Sequence, residues 1–143
     1  MATTAERFKA AVEAQELKAV EELFTEDVRL YSPVKFAPFE GRPAVLGLFG
    51  VLLRTFEDFH YVGELTGSAQ TAAGPDGGSA DSTVLVFRAT VNGRQIHGID
   101  LLQFDEAGLI KEFTVMVRPQ SAVQALGEAV LAGLVEDGLA PQA

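Results

Sequence analysis

The fold of this chain is decided by one segment, which reads Asn92-Gly93-Arg94-Gln95-Ile96-His97-Gly98-Ile99-Asp100-Leu101-Leu102-Gln103-Phe104-Asp105-Glu106-Ala107-Gly108-Leu109-Ile110. Asn-Gly between two runs of apolar residues is the strongest short signal for a two-residue β-hairpin turn. It predicts paired strands over 83–91 and 94–104. The turn-forming run at 105–108 predicts a second hairpin into a strand over 109–117. We therefore expect three successive antiparallel strands.

Helical patterns precede this strand region. Thr3 and Glu6 have the spacing of a capping box, and apolar residues then recur at helical intervals along two stretches as far as Phe24. A short alternating strand follows over 28–32, and Pro43 stands where a further helix can begin.

The rest of the chain completes an α+β order. A strand is expected over 60–71, and Ser121 with Gln124 is expected to cap a last helix. Strands gathered behind helices predict a strongly bent, mostly antiparallel sheet wrapped around the N-terminal helices. We expect one domain over 1–143, with 119–143 as a C-terminal helical extension.

Composition narrows the possible functions. The chain has 143 residues, a formal charge of −9, no cysteine and two histidines. The negative charge disfavours nucleic acid and acidic lipid surfaces as partners. Without thiolates and with so few imidazoles, no metal site is expected. The N-terminus has no signal-peptide pattern, so we expect a cytoplasmic protein.

One acidic residue falls on the apolar side of the predicted sheet. Counting outward from the hairpin turn places Leu85 opposite Asp100, on the most apolar face. The second turn places Asp100 opposite Phe113, whereas the alternative register would turn Glu112 inward. Burial without a cationic neighbour would raise the pKa of Asp100 and make it a candidate functional group. The alternative interpretation is structural: Asp100 bonds to a buried backbone or hydroxyl group, or faces a partner subunit.

Three segments carry a family resemblance. Residues 92–110, with Leu23-Phe24-Thr25-Glu26-Asp27-Val28 and Glu40-Gly41-Arg42-Pro43-Ala44-Val45, resemble the nuclear transport factor 2-like superfamily, in its SnoaL-like and ketosteroid isomerase-like branch. The resemblance covers 5–118 and implies a cone-shaped fold with a mixed sheet, a deep apolar pocket and no cofactor.

The resemblance also identifies departures from the isomerases. Asp100 matches their protonated aspartic acid, which donates a hydrogen bond from an apolar site. Ser32 stands at their catalytic base and Phe8 at their oxyanion-hole tyrosine, so both of those functions are missing. An epoxide hydrolase would need an inward arginine, but Arg88 falls on the opposite face. A SnoaL-like cyclase needs mainly one acid in a shaped cavity.

We therefore expect a protein that binds a small hydrophobic molecule, and a cofactor-independent isomerase- or cyclase-type enzyme with Asp100 as its catalytic residue. The alternative is a non-catalytic ligand-binding or dimerisation module of the same fold. An open pocket would favour binding, and a pocket filled by aromatic side chains would favour a structural role. The expected ligand-binding residues are Phe8, Ser32, Phe36, Phe39, Tyr61, Leu85, Phe87, Leu102, Phe113, Val115 and Val117.

The outer face of the sheet is too apolar to face water alone. Its predicted members are Val84, Val86, Ile99, Leu101 and Thr114. We expect either a homodimer through this face or coverage by the C-terminal helix.

Overall fold

The computed structural model describes residues 2–139. Its elements are α1 (Thr4–Glu13), α2 (Leu17–Glu21), β1 (Phe24–Tyr31), β2 (Phe39–Glu40), α3 (Arg42–Thr55), β3 (Glu57–Gln70), a 3-10 turn (Pro75–Gly77), β4 (Ser79–Val91), β5 (Arg94–Phe104), β6 (Ile110–Arg118) and α4 (Gln120–Glu136). The strands form one curved six-stranded sheet in the order β2-β1-β6-β5-β4-β3. β1 and β6 are parallel and the other neighbours antiparallel, so the predicted α+β fold with a mixed sheet is confirmed.

The first hairpin forms as predicted. Asn92 and Gly93 have φ values of 49° and 78°, the left-handed conformation that a tight two-residue turn requires. β4 and β5 pair with Leu85 opposite Asp100 and Phe87 opposite Gly98. The count from the turn therefore gave the correct register for this hairpin.

The second hairpin differs in register. Asp100 lies opposite Val115, not Phe113, and Phe113 lies opposite Leu102. Two one-residue changes cause this shift: the turn also includes Leu109, and the pairing slips once more at the start of β6. Because two such shifts restore the two-residue period of a strand, Asp100 still faces the predicted side.

Three boundaries near the helices also differ from prediction. Phe24 begins β1 and does not end a helix, because its strand pairs with Ile110 of β6. The proline-rich loop contains the short strand β2. α4 begins at Gln120 after Pro119, with no side-chain cap, so Ser121 lies inside the helix and does not cap it.

The core lies between the inner face of the sheet and α1 and α3. The capping box of α1 is present, with Thr3 Oγ1 accepting from the Glu6 amide at 3.1 Å. Four buried phenylalanines join the layers, with ring centroids 5.3 to 6.4 Å apart: Phe8, Phe24, Phe49 and Phe113. Aromatic pairs at such separations add to the hydrophobic stabilisation from burial.

α4 packs on the inner side of the molecule. Its end is held to α3 by Arg54, whose Nη2 donates to Asp137 Oδ1 at 2.8 Å and to the Gly133 carbonyl at 3.3 Å. Leu126, Val130 and Leu134 of α4 line a cavity on the inner side of the sheet. Of the two expectations for the outer face, coverage by the C-terminal helix is therefore wrong, and the homodimer stays a prediction.

Candidate functional site

A cavity of about 530 Å³ lies between the sheet, α1, α3 and α4. Its wall is mostly apolar and takes side chains from every one of these elements, including Phe8 of α1, Leu52 of α3 and Val130 of α4. The volume lies within the range of small-molecule sites. Because it remains open, the cavity is not filled by aromatic side chains.

Asp100 is the buried acid in this wall. Its side chain projects from the middle of β5 toward the cavity, and the residue is only 6% exposed. Burial raises the pKa of Asp100 from 3.8 to about 7, against a smaller lowering by the hydrogen bond from Tyr61. Desolvation has this sign because it penalises the charged form of a carboxyl group.

Tyr61 is the polar partner of this acid. It lies on β3, and its hydroxyl donates to Asp100 Oδ2 at 3.4 Å. The pKa of Tyr61 is raised above its usual value, by burial first and by the neighbouring carboxyl second. The tyrosine is therefore a neutral donor. Because its single proton is donated to Asp100 Oδ2, the donor that the pair offers to a ligand oxygen is the proton of Asp100 in its protonated form.

The structure brings together seven of the predicted site residues on the cavity wall: Phe8, Ser32, Phe39, Tyr61, Asp100, Phe113 and Val115. Ser32 has a local role as well, because its Oγ accepts from the amides of Val34 and Lys35 at 3.3 Å. Phe8 contacts the ring of Phe113, so it is part of the core and of the wall at once.

Five predicted lining residues lie elsewhere. Phe36 is fully exposed at the tip of its loop. Leu85, Phe87 and Leu102 are on the inner face but are buried beneath other side chains, and Val117 is half-buried away from the wall. Phe87 shows the physical reason, since the ring of Phe59 stacks on it at 4.8 Å and separates it from the cavity.

Sequence reasoning missed several wall residues. Leu126, Val130 and Leu134 of α4 line the cavity, and their helical stripe was visible in the sequence without a sign of what it covers. Two carboxylates, Glu13 and Asp58, also line it. Neither lies on the strands from which the inward face was counted.

The remaining polar groups do not form a metal centre. In the part of the chain that the structure describes, no three His, Asp or Glu side chains are grouped so that they could hold a metal ion. His60 is exposed, with Nδ1 at 2.9 Å from the Asp58 carbonyl. Across residues 2–139 no helix is both long enough and apolar enough to span a membrane.

This architecture agrees with comparisons to known proteins. The family model described as SnoaL-like domain matches residues 5–113. The chain therefore belongs to the SnoaL-like family, within the nuclear transport factor 2-like superfamily whose cone-shaped fold it shares. A comparison with functionally curated proteins finds no significant match.

Solved structures give the same result. A steroid delta-isomerase from Pseudomonas aeruginosa is 35% identical, with a TM-score of 0.81 over 96% of this chain and 93% of its own. An uncharacterized protein with a cystatin-like fold from Silicibacter pomeroyi is 27% identical, with a TM-score of 0.81 over 94% and 87%. An NTF2-like protein of unknown function from Cytophaga hutchinsonii shares the fold at 17% identity, with a TM-score of 0.59 over 85% and 95%. The chain thus has a ligand-binding fold with a steroid isomerase among its relatives.

Proposed function

We propose that this protein is a cofactor-independent enzyme of the isomerase or cyclase type, acting on a small hydrophobic carbonyl compound. The observation that carries the proposal is a single acid, Asp100, buried in the wall of an open apolar cavity with its pKa raised to about 7. A neutral acid in a dry cavity is a strong hydrogen-bond donor to a developing oxyanion. The likeness to a steroid delta-isomerase supports a polycyclic ketone as the substrate class.

The proposed reaction begins with the ligand carbonyl oxygen beside Asp100. Enolisation moves negative charge onto that oxygen, and the acid proton of Asp100 stabilises it. Because Tyr61 donates to Oδ2 of the same carboxyl group, the proton of Asp100 is free on the other oxygen to face the ligand. The apolar wall excludes water, which would otherwise compete for this hydrogen bond.

The second candidate is a non-catalytic binding module of the same fold. It is favoured by Ser32 and Phe8, which line the cavity and which the sequence resemblance matches to the base and the oxyanion-hole tyrosine of the isomerases. In this case Asp100 would orient a bound ketone without turnover. The two candidates differ in one measurable respect, which is the loss of a carbon-bound proton from the ligand.

Replacement of Asp100 tests the catalytic proposal. The probe is a steroid carrying a β,γ-unsaturated ketone, and its conversion to the conjugated ketone is followed by ultraviolet absorbance. We expect Asp100→Asn to lower kcat about 10-fold, because an amide is a weaker donor, and Asp100→Leu to lower it about 100-fold or more. The control is Gln95→Leu, an exposed position on the same strand. Unchanged turnover in both Asp100 variants would remove the case for catalysis.

We also propose a homodimer through the outer face of the sheet and a cytoplasmic location. The dimer is supported by the position of α4, which leaves Val86, Ile99 and Leu101 partly exposed. Exposed Met116 extends the same apolar surface. The negative charge supports the absence of nucleic-acid partners.

A further inference from the structure

Glu13 lies on the wall of the cavity that also contains Asp100. It is the last residue of α1, one position after Val12, and it is exposed to solvent although it lines the cavity. The cavity wall therefore has one buried acidic residue, Asp100, and two exposed ones, Glu13 and Asp58.

The position of Glu13 relative to Tyr61 follows from an ion pair between their elements. Lys9 Nζ of α1 lies 2.6 Å from Glu64 Oε1 of β3, and this pair holds the helix alongside the strand. Glu13 is one helical turn after Lys9 and on the same face, toward the part of β3 that carries Tyr61. In agreement, the charge of Glu13 is among the causes that raise the pKa of Tyr61.

The local surroundings of Glu13 leave its charge without compensation. A negative side chain in the last turn of a helix opposes the helix dipole, and α1 has no basic residue there. Lys9, one turn earlier on the same helix face, forms its ion pair with Glu64. Within residues 2–139 Glu13 has no hydrogen-bond or ion-pair partner of its own. Local arrangements that lower stability, such as this uncompensated charge, are expected at functional sites.

We propose that Glu13 is the catalytic base of this protein, and that it works in the same cavity as Asp100 and Tyr61. The inference rests on the proposed function, because an isomerisation through an enol needs a proton acceptor as well as a donor. It supplies the acceptor that Ser32 cannot be. Asp58, the other lining carboxylate, lies on β3 three residues before Tyr61. Its charge is not among the causes that raise the pKa of Tyr61, whereas the charge of Glu13 is.

The proposed proton transfer involves only the substrate and two side chains, and every proton and electron pair is accounted for among them. The Glu13 carboxylate takes a proton from the carbon next to the carbonyl; that C–H bond breaks and an O–H bond forms on Glu13. The freed electron pair forms a carbon–carbon double bond, and the carbonyl oxygen takes the negative charge under the proton of Asp100. Glu13 then returns its proton to the far end of the conjugated system, which restores the carboxylate and gives the conjugated ketone.

The test compares Glu13→Gln with wild type on the steroid probe, and measures binding of a naphthol separately. Naphthol is a planar phenol that resembles the enol and needs the donors but no base. We expect kcat of Glu13→Gln to fall about 100-fold or more, with naphthol affinity within about 2-fold of wild type. The matched control is Glu16→Gln, an exposed glutamate three residues further on that is absent from the cavity wall. Its kcat should stay within about 2-fold of wild type.

Three outcomes would overturn the proposal, and they separate it from the proposed function. If Glu13→Gln retains turnover while Asp100→Leu loses it, the enzyme stands and Glu13 is not its base. If Asp58→Asn loses turnover and Glu13→Gln does not, the base is Asp58. If wild type binds naphthol but never isomerises the probe, the catalytic proposal fails as a whole and the binding module remains.

Discussion

Asp100 has its unusual protonation because of where the chain places it. A carboxyl group that is 6% exposed, with one tyrosine hydroxyl as its side-chain hydrogen-bond donor, has lost most of its hydration and gained little in return. Burial therefore raises its pKa to about 7. At neutral pH the acid is close to half protonated, which suits a group that must hold a proton and also share it.

The raised pKa of Asp100 also makes the stability of the fold depend on pH. Because the folded pKa of Asp100 lies above the unfolded value of 3.8, its contribution to stability is fully present below pH 4 and is lost as pH rises to about 7. The loss is on the order of 4 kcal/mol. The ability of Asp100 to donate a hydrogen bond is lost over the same pH range, because it also requires the protonated form.

Single residues also show how far the sequence could predict the site. The inward side of Asp100 followed from the Asn92-Gly93 turn alone, because the side-chain period in a strand is two. The same reasoning placed Phe87 on the wall, where the structure has it covered by Phe59. A strand pattern identifies the face of a side chain but not what packs on top of it, which depends on long-range contacts.

At the scale of elements, the β4–β5 hairpin depends on close contact across its inner face. Gly98 lies opposite Phe87, and a Cβ built on it would come within 2.5 Å of Phe87 Cζ and 2.9 Å of the Met116 carbonyl oxygen. The ring of Phe87 occupies the space that any larger residue would need. This glycine is thus required for packing of the aromatic core and not for turn geometry.

We expect Gly98→Ala to destabilise the fold by about 2 kcal/mol or more, because the new methyl group overpacks against a buried ring and a backbone atom. Urea unfolding followed by circular dichroism measures the change. The matched control is Gly67→Ala on β3, where a Cβ meets nothing within 4 Å. It should stay within about 0.5 kcal/mol of wild type. Equal stability of the two variants would contradict the packing described for Gly98.

Element boundaries were predicted well where turn chemistry is local, and less well elsewhere. The capping box and the Asn-Gly turn act over a few residues, so the starts of α1 and β5 agree with prediction. Phe24 was misassigned because its helical spacing competes with parallel pairing to Ile110, which lies far away in the chain. The second turn includes Leu109 for a local reason, because the Asp105 amide donates to the Leu109 carbonyl and Asp105 Oδ1 accepts from the Leu109 amide, both at 2.9 Å.

At the scale of the whole molecule, α1, α3 and α4 line the cavity on the inner side of the sheet, and within residues 2–139 no helix covers its outer face. The uncovered strip includes Val86, Ile99 and Leu101, which are partly exposed, and Met116, which is 53% exposed. An apolar strip on regular strands is suited to a two-fold symmetric contact with a second copy. The role of α4 on the inner side could not be read from its amphipathic pattern, because that pattern does not identify which surface it covers.

We expect wild type to have twice the 15.2 kDa mass of one chain in light-scattering measurements. Leu101→Glu should dissociate the dimer, because the two-fold contact would bring buried like charges together. Phe36→Glu is the control, since Phe36 is a fully exposed phenylalanine outside this face, and it should leave the mass unchanged. A wild-type monomer, or a dimer that persists in Leu101→Glu, would contradict the proposed contact.

The protonation of Asp100 is measured most directly by a carbon-13 NMR titration of the aspartate carboxyl groups, with Asp100→Asn to assign the signal. Burial in the cavity wall predicts that its midpoint lies near pH 7. Wild type should show one aspartate signal that moves in this range, and the variant should lack it. A midpoint near pH 4, the ordinary value for a solvated aspartate, would contradict the account of the site and its chemistry.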